Sequence, residues 1–190
     1  LEKFFSGEEF TVQEVHESLR KLVLAGELVP VLVGSATKNI GVETMLDMFI
    51  DYLPCPADLK PYEAKDENGN PVTRETKDSE PFSAYVFKTV VDPYSGTINI
   101  IKVNSGVLKT GDEIYVNKGT QRVSMLYQMT GKKLDAIQEV HAGDIAAITR
   151  LEGVASGMTL SSPKAVIEYK PAHYPTAVIF KAIILANKND

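Results

Sequence analysis

The residues of this sequence that are best placed to bind a ligand form a short polar turn, Gly34-Ser35-Ala36. The apolar run Val31–Val33 leads into this turn, and Asn39-Ile40-Gly41 leads from it into an amphipathic segment. This order predicts a strand, a tight turn and a helix. In α/β proteins, ligands bind beyond the carboxyl ends of strands, where turns present free backbone N–H groups. We therefore predict that the turn holds a ligand.

A second stretch, from Gly106 to Gly111, has the spacing of the first two glycines of a phosphate-binding P-loop. A P-loop then requires Lys followed by Ser or Thr, which reach the phosphates and Mg²⁺. Asp112 and Glu113 stand there instead, and their carboxylates would repel a phosphate. We interpret this stretch as a turn between strands.

No set of residues in the sequence has the spacing of a catalytic or metal site. The histidines, His16, His141 and His173, are far apart and lack metal-ligand spacing. Cys55 lies between two prolines, and no nucleophile is placed beside a base. We predict no catalytic residue and no metal in this chain.

Helical periodicity dominates the first part of the chain. Thr11 and Glu14 match a capping box, and apolar residues at spacings of three and four predict a helix that ends at Gly26. Leu28–Val33 is predicted to be a short buried strand, and residues 42–53 a second helix. We expect the apolar faces of both helices to pack into a core.

From Pro81 onward the apolar residues alternate with polar ones, as they do in strands. Turn signals at intervals of about 8–12 residues predict an antiparallel β-barrel, closed or nearly closed. We expect residues 134–140 to be a connection that is not a strand. Residues 66–70 predict a hairpin before the barrel, and residues 165–169 and 177–186 predict extended segments after it.

These changes divide the chain into four parts. Residues 1–53 form a mixed α/β portion, 54–81 a proline-containing linker and hairpin, 82–162 the barrel, and 163–190 the start of a third domain. The apolar run near the chain end cannot bury itself, and the chain begins with Leu1 instead of Met. We therefore expect a piece of a longer protein.

The composition is that of a soluble globular protein. Of the 190 residues, 44% are hydrophobic and 24% are charged, and no apolar run approaches the roughly 20 residues that span a bilayer. A single cysteine excludes an internal disulfide and is typical of the reducing cytosol. The net charge of −5 comes from residues 1–81, with 8 basic against 16 acidic residues, whereas the barrel has 8 against 7. We predict a cytoplasmic protein with no membrane partner, in which the barrel can still contact RNA.

The order of these features resembles elongation factor G. Residues 34–42, with the helix that ends at residues 51–56, are similar to the last nucleotide-binding motif of that family. The similarity spans about residues 11–186, and in the barrel it is carried by Pro81-Phe82-Ser83-Ala84, Phe87-Lys88, Asp92-Pro93-Tyr94, Gly96, Ser105-Gly106-Val107-Leu108, Lys118-Gly119, Ala142-Gly143-Asp144, Gly157 and Thr159-Leu160.

The resemblance implies a ribosomal translocase that hydrolyses GTP, with GTP or GDP and Mg²⁺ bound by the full-length parent. Residues 1–53 would be the end of the GTPase domain, and residues 82–162 would be its domain II, a barrel of the translation-factor type. Gly34, Ser35 and Ala36 would contact guanine through backbone N–H groups, because guanine presents the acceptor O6 where adenine presents an amine.

The resemblance also implies that the barrel packs on the GTPase domain and contacts the RNA and proteins of the small ribosomal subunit. Lys118, Arg122, Lys132 and Lys133 are the candidate RNA contacts. Residues 163–190 would be the beginning of a third domain, truncated here.

The sequence has no P-loop, Mg²⁺ switch or base-reading motif where a GTPase needs them. Phosphoryl transfer depends on positioning and electrostatic stabilisation of the phosphates. We therefore expect the chain alone to be a monomer that holds no cofactor and hydrolyses no GTP. The alternatives are a ribosomal-protection or release-factor-recycling GTPase of the same architecture, and a non-catalytic barrel that binds RNA or protein.

Overall fold

The computed structural model describes residues 2–93, 96–131 and 133–182. The chain divides into two compact units, one up to Lys60 and one from Pro61 onward. The first unit is built from helices and the second from antiparallel strands. The boundary between the units precedes the predicted change of period at Pro81, because the hairpin belongs to the second unit.

The first unit consists of helices joined by irregular segments. Its helices are α1 (Glu2–Ser6), α2 (Val12–Leu24) and α3 (Val42–Tyr52), followed by a 3-10 turn at Pro56–Asp58. α2 begins at the predicted capping box, in which the Glu14 N–H donates to Thr11 Oγ1 over 3.2 Å. The Thr11 N–H in turn donates to Glu14 Oε2 over 2.9 Å. Both predicted helices are confirmed.

Arg20 of α2 connects the two longer helices. Its guanidinium donates to the Asp51 carbonyl oxygen over 2.8 Å and forms an ion pair with Asp58 over 2.6 Å. The carbonyl groups at the end of a helix lack partners within that helix. Arg20 therefore caps α3 while it joins α3 to α2, beside the contact between the rings of His16 and Tyr52.

Residues 28–33 are not a strand in the structure. No described segment pairs with them, and Val31 and Val33 are 86% and 93% exposed. Much of the apolar surface of α2 and α3 is also exposed, including Val12 and Ile50. A buried strand needs neighbouring strands for its backbone groups. Because the described part of this unit supplies none, the predictions of a buried strand and of a packed core here are wrong.

The second unit contains thirteen strands within the described residues. In chain order they are β1 (Tyr62–Asp66), β2 (Pro71–Arg74), β3 (Ser83–Asp92), β4 (Gly96–Ser105), β5 (Leu108–Lys109), β6 (Glu113–Val116), β7 (Gly119–Arg122), β8 (Leu126–Thr130), β9 (Lys133–Ile137), β10 (Glu139–Val140), β11 (Ile145–Thr149), β12 (Thr159–Ser161) and β13 (Ile167–Tyr169).

Eight of these strands form one antiparallel sheet in the order β7-β6-β12-β3-β4-β11-β8-β9. The sheet surrounds a single hydrophobic core, to which strands along its whole width contribute, so it has the shape of a barrel wall. No ladder joins β7 to β9 among the described residues, so the barrel-like sheet is not closed by hydrogen bonds at these two edges. The predicted fold class is confirmed. The core side chains include Val86, Ile101, Val103, Ile114, Leu126, Ile148 and Leu160.

One detail of the barrel differs from the prediction, and another involves residues outside the described ranges. Residues 134–140, expected to contain no strand, lie in β9 and β10 except for residue 138, and these strands pair with β8 and β5. Alternation is weak there, and only the partner strands decide the conformation. The predicted turn between β3 and β4 includes residues 94 and 95, which lie outside the described residues.

β1 and β2 form the predicted hairpin, and β13 adds to it to make a three-stranded sheet. A chain of buried hydroxyls connects this sheet to the barrel. Ser83 Oγ lies 2.6 Å from Ser105 Oγ and 2.6 Å from the Tyr169 hydroxyl, and Ser105 Oγ donates to the Pro81 carbonyl oxygen over 2.7 Å. Strands from both ends of this unit are thus held against β3 and β4.

The extended segment predicted at residues 165–169 is confirmed as β13, whereas the one predicted at residues 177–186 is not a strand where it is described. Residues 177–182 are exposed and unpaired, and residues 183–186 lie outside the described residues.

Candidate functional site

The predicted ligand turn is closed by its own backbone. The Ser35 N–H donates to the Ile40 carbonyl oxygen over 2.9 Å, and the Ile40 N–H donates back to the Ser35 carbonyl oxygen over 3.0 Å. Inside this bridge, the Asn39 N–H donates to the Ala36 carbonyl oxygen over 3.2 Å. The turn therefore keeps its shape without support from a neighbouring strand.

Two glycines allow the base of the turn to close. A Cβ on Gly34 would lie 2.8 Å from the Ile40 carbonyl oxygen, and a Cβ on Gly41 would lie 3.0 Å from the Val33 carbonyl oxygen. Gly41 also has φ +74°, in the left-handed region that favours glycine, directly before α3. The sequence needs glycine at both positions for backbone to approach backbone this closely.

The three predicted contact residues differ in what they offer a ligand. The Ser35 N–H is occupied by Ile40, whereas the N–H groups of Gly34 and Ala36 have no acceptor among the described residues. Ala36 is exposed. The Ser35 hydroxyl lies 3.4 Å from the Thr37 hydroxyl. The turn can thus donate hydrogen bonds to a neutral acceptor, but no described contact sets a base beside its Ser35 and Thr37 hydroxyls.

The described candidate RNA contacts, Lys118, Arg122 and Lys133, lie on different elements of the barrel. Lys118 is exposed at the turn between β6 and β7, where Asn117 and Lys118 both have positive φ, 51° and 62°. This conformation belongs to the tight hairpin turn that matches strand twist. Among the ion pairs of the described residues Lys118 takes no part, so its ammonium is available to an external anion.

Two of the other candidates, Arg122 and Lys133, are less available. Arg122 Nε donates to the Gly111 carbonyl oxygen over 3.1 Å, and Lys133 forms an ion pair with Asp135 over 2.7 Å. These two residues lie on β7 and β9, the opposite ends of the sheet order. Lys132 lies outside the described residues. The structure records no contact that brings these cations together.

A charged cluster that the sequence did not reveal holds the segment before β3 against the barrel. Asp78 accepts from the His141 ring over 2.9 Å and from the Ala142 N–H over 3.1 Å, and Glu139 forms an ion pair with Lys109 over 2.7 Å. Asp78 and His141 are 63 positions apart. No local pattern signals such a pair.

The His141 contact predicts a pH-dependent stability. The hydrogen bond to Asp78, with the nearby carboxylates of Glu139 and Asp144, raises the pKa of His141 above its ordinary value of 6.5. Its stabilising contribution is therefore complete below pH 6.5 and is lost as pH rises through the raised value. An NMR titration should show a His141 pKa above 6.5, and Asp78→Asn should return it toward 6.5. A His141 pKa that Asp78→Asn leaves unchanged would contradict the contact.

Two further classes of site find no support in the part of the chain that is described. None of its groups of His, Cys, Asp and Glu side chains is arranged to hold a metal ion. None of its helices is both long and apolar enough to cross a membrane.

Comparisons with known proteins place the barrel in a family. Residues 81–162 match the family model for elongation factor G domain 2, and these residues contain all eight strands of the large sheet. A crystal structure of a protein from Thermus thermophilus is 30% identical and superposes with a TM-score of 0.65. That match covers 85% of this chain and 22% of the other, so this chain spans about a fifth of that protein's length.

Proposed function

Since this chain is of the elongation factor G type and its residues 81–162 belong to the domain 2 family of that factor, we propose that it works within a GTPase that acts on the ribosome. The observation that carries this proposal is the family match over the whole barrel. The Thermus structure supports it because that match covers 85% of this chain. The full-length protein would bind GTP or GDP with Mg²⁺ in the cytoplasm and use hydrolysis to drive translocation of tRNA and mRNA.

We place guanine at the Gly34-Ser35-Ala36 turn. The exposed Ala36 N–H has no acceptor among the described residues, and guanine O6 is an acceptor of the right kind. Adenine would bring an amine to the same donor and leave both groups unpaired. The Ser35–Ile40 bridge and the two glycines support this role because they keep the turn in one conformation before the ligand arrives.

Replacing Ala36 with proline in the full-length protein removes this N–H. We expect Ala36→Pro to weaken GDP binding about tenfold, the effect of losing one hydrogen bond in a buried site. Ala36→Gly keeps the N–H and should bind GDP like the wild type. Isothermal titration calorimetry with GDP measures both. Unchanged affinity in Ala36→Pro would contradict the base contact while leaving the family role intact.

For the ribosome, the free ammonium of Lys118 makes it the strongest of the candidate RNA contacts. We expect Lys118→Gln in the full-length protein to lower its affinity for the ribosome. The magnitude of the slope of log affinity against log salt concentration should fall by about one. Lys21→Gln, on the exposed surface of α2, is the matched control and should leave the slope unchanged. Cosedimentation with ribosomes over a salt series measures this. An unchanged slope for Lys118→Gln would exclude Lys118 from the interface.

The same assays separate the proposal from its alternatives. A full-length protein that releases a bound antibiotic or splits ribosomes, without advancing tRNA, would be a protection or recycling factor. Ribosome binding without GTP hydrolysis would identify a non-catalytic barrel module instead.

A further inference from the structure

A cluster of cations and tyrosines lies between the three-stranded sheet and the barrel wall. Tyr62 and Arg74 are directly paired across β1 and β2, and Tyr85 and Lys102 are directly paired across β3 and β4. Directly paired residues project from the same face of a sheet. Lys102 Nζ lies 5.6 Å from the centre of the Tyr62 ring, which brings the two pairs together. We call these four residues the interlayer cluster.

Three donors of the interlayer cluster lack an acceptor. The hydroxyls of Tyr62 and Tyr85 and the Nε of Arg74 are buried and have no hydrogen-bond partner in the described part of the chain. Natural proteins rarely leave buried donors unpaired, because each has lost its hydrogen bond to water. The Arg74 Nε can only donate, so its missing partner is an acceptor, and both tyrosine hydroxyls can donate to the same acceptor.

The charge of the interlayer cluster is also uncompensated. Neither Arg74 nor Lys102 forms an ion pair with a described residue. Side chains alternate between the faces of a strand, so Glu63 and Glu168 lie on the opposite face of the three-stranded sheet. Asp66 is on the same face as Tyr62, but it lies at the other end of β1 and accepts hydrogen bonds from Asn68 and Asn70. Tyr169, in the same layer, supplies no negative charge because burial raises the pKa of its hydroxyl. An acceptor that also neutralises this charge is an anion.

We propose that the interlayer cluster binds a phosphate group. A guanidinium and an ammonium supply the charge, and the Arg74 Nε and two hydroxyls supply directed donors for the phosphate oxygens. The phosphate belongs either to a small molecule or to the backbone of an RNA strand, which share this chemistry. The interlayer cluster shares no residue with the Gly34-Ser35-Ala36 turn or with Lys118, so it goes beyond the proposed function.

The test is titration of the whole 190-residue chain with inorganic phosphate at constant ionic strength, followed by amide chemical shifts. We expect saturable shifts in β1, β2 and β4. Arg74→Gln and Lys102→Met should each weaken phosphate binding about tenfold, as expected for loss of a charge-assisted hydrogen bond. Lys65→Gln, a cation on the opposite face of β1, is the matched control and should bind phosphate like the wild type.

Equal phosphate affinity in the wild type, Arg74→Gln and Lys102→Met would overturn the proposal. A lack of saturable shifts would do so as well, since water would then be the missing acceptor. Lys102→Met changes a half-buried side chain and leaves the core face of β4 intact, so it decides the question if Arg74→Gln does not fold. A short oligouridylate that binds more tightly than inorganic phosphate, and weakens in both variants, identifies the RNA backbone as the source. Equal affinity for the two probes identifies a small phosphate-bearing molecule.

Discussion

Gly106→Ala should destabilise the barrel by about 3–5 kcal/mol, among the largest effects of any single substitution in this chain. Gly106 has φ +71°, and a Cβ there would lie 2.6 Å from both the N and the Cα of Phe82 and 2.7 Å from the Glu80 carbonyl oxygen. All of these are backbone atoms, which cannot move aside as the end of a flexible side chain can. The clash adds to the left-handed strain of about 1–2 kcal/mol.

The segment that Gly106 touches makes this clash costly. The Gly106 N–H donates to the Lys77 carbonyl oxygen over 2.9 Å, so residues 77–82 lie directly across the end of β4. Urea unfolding followed by far-UV circular dichroism measures the change. Gly69→Ala is the matched control, because Gly69 has φ +83° with nothing within 4 Å of a Cβ. It should cost only the strain of about 1–2 kcal/mol. Equal losses in the two variants would show that the close approach to Phe82 does not exist in solution.

Ile101→Ala should reduce the free energy of unfolding by about 2–5 kcal/mol, the usual cost of removing a large aliphatic side chain from a closed core. Ile101 lies on β4 at the centre of the sheet, fully buried, and is paired with Val86 on one side and Ala146 on the other. Because strands pack around it, the cavity left by alanine cannot close fully.

The neighbouring strand provides the control for Ile101. Ile145 on β11 is the same residue type in the same ladder, but it is 58% exposed, and Ile145→Ala should cost less than about 1 kcal/mol. The same urea series measures both variants. If Ile145→Ala were as destabilising as Ile101→Ala, the two faces of this ladder would be assigned the wrong way round.

Features that depend on nearby residues were predictable from the sequence. The capping box of Thr11 and Glu14 is present in α2, and the Asp66–Asn70 signal forms the hairpin of β1 and β2. In these features a side chain and the backbone it contacts lie within a few positions of each other. The antiparallel barrel was also predictable, because alternation and turn residues repeat along its whole length. For the candidate site, the turn at residues 34–36 was recognised by its motif alone.

The tertiary structure decided what depends on distant partners. Residues 28–33 have the composition of a strand and are unpaired, whereas residues 133–140 lack a clear pattern and become β9 and β10. A strand exists only when another strand satisfies its backbone groups. The hydrogen bonding of the turn also depends on the fold. Only the structure shows that the Ser35 N–H donates to the Ile40 carbonyl oxygen and that the Ala36 N–H has no acceptor among the described residues.

The sequence by itself therefore determined helices α2 and α3, the change from helices to a barrel near Pro81, and the family to which the barrel belongs. The structure decided the contacts between residues far apart in sequence, including the Asp78–His141 pair and the interlayer cluster. Local geometry is encoded in a few consecutive residues, but charge compensation and burial depend on which strands meet. These pairings between strands form only in the folded chain.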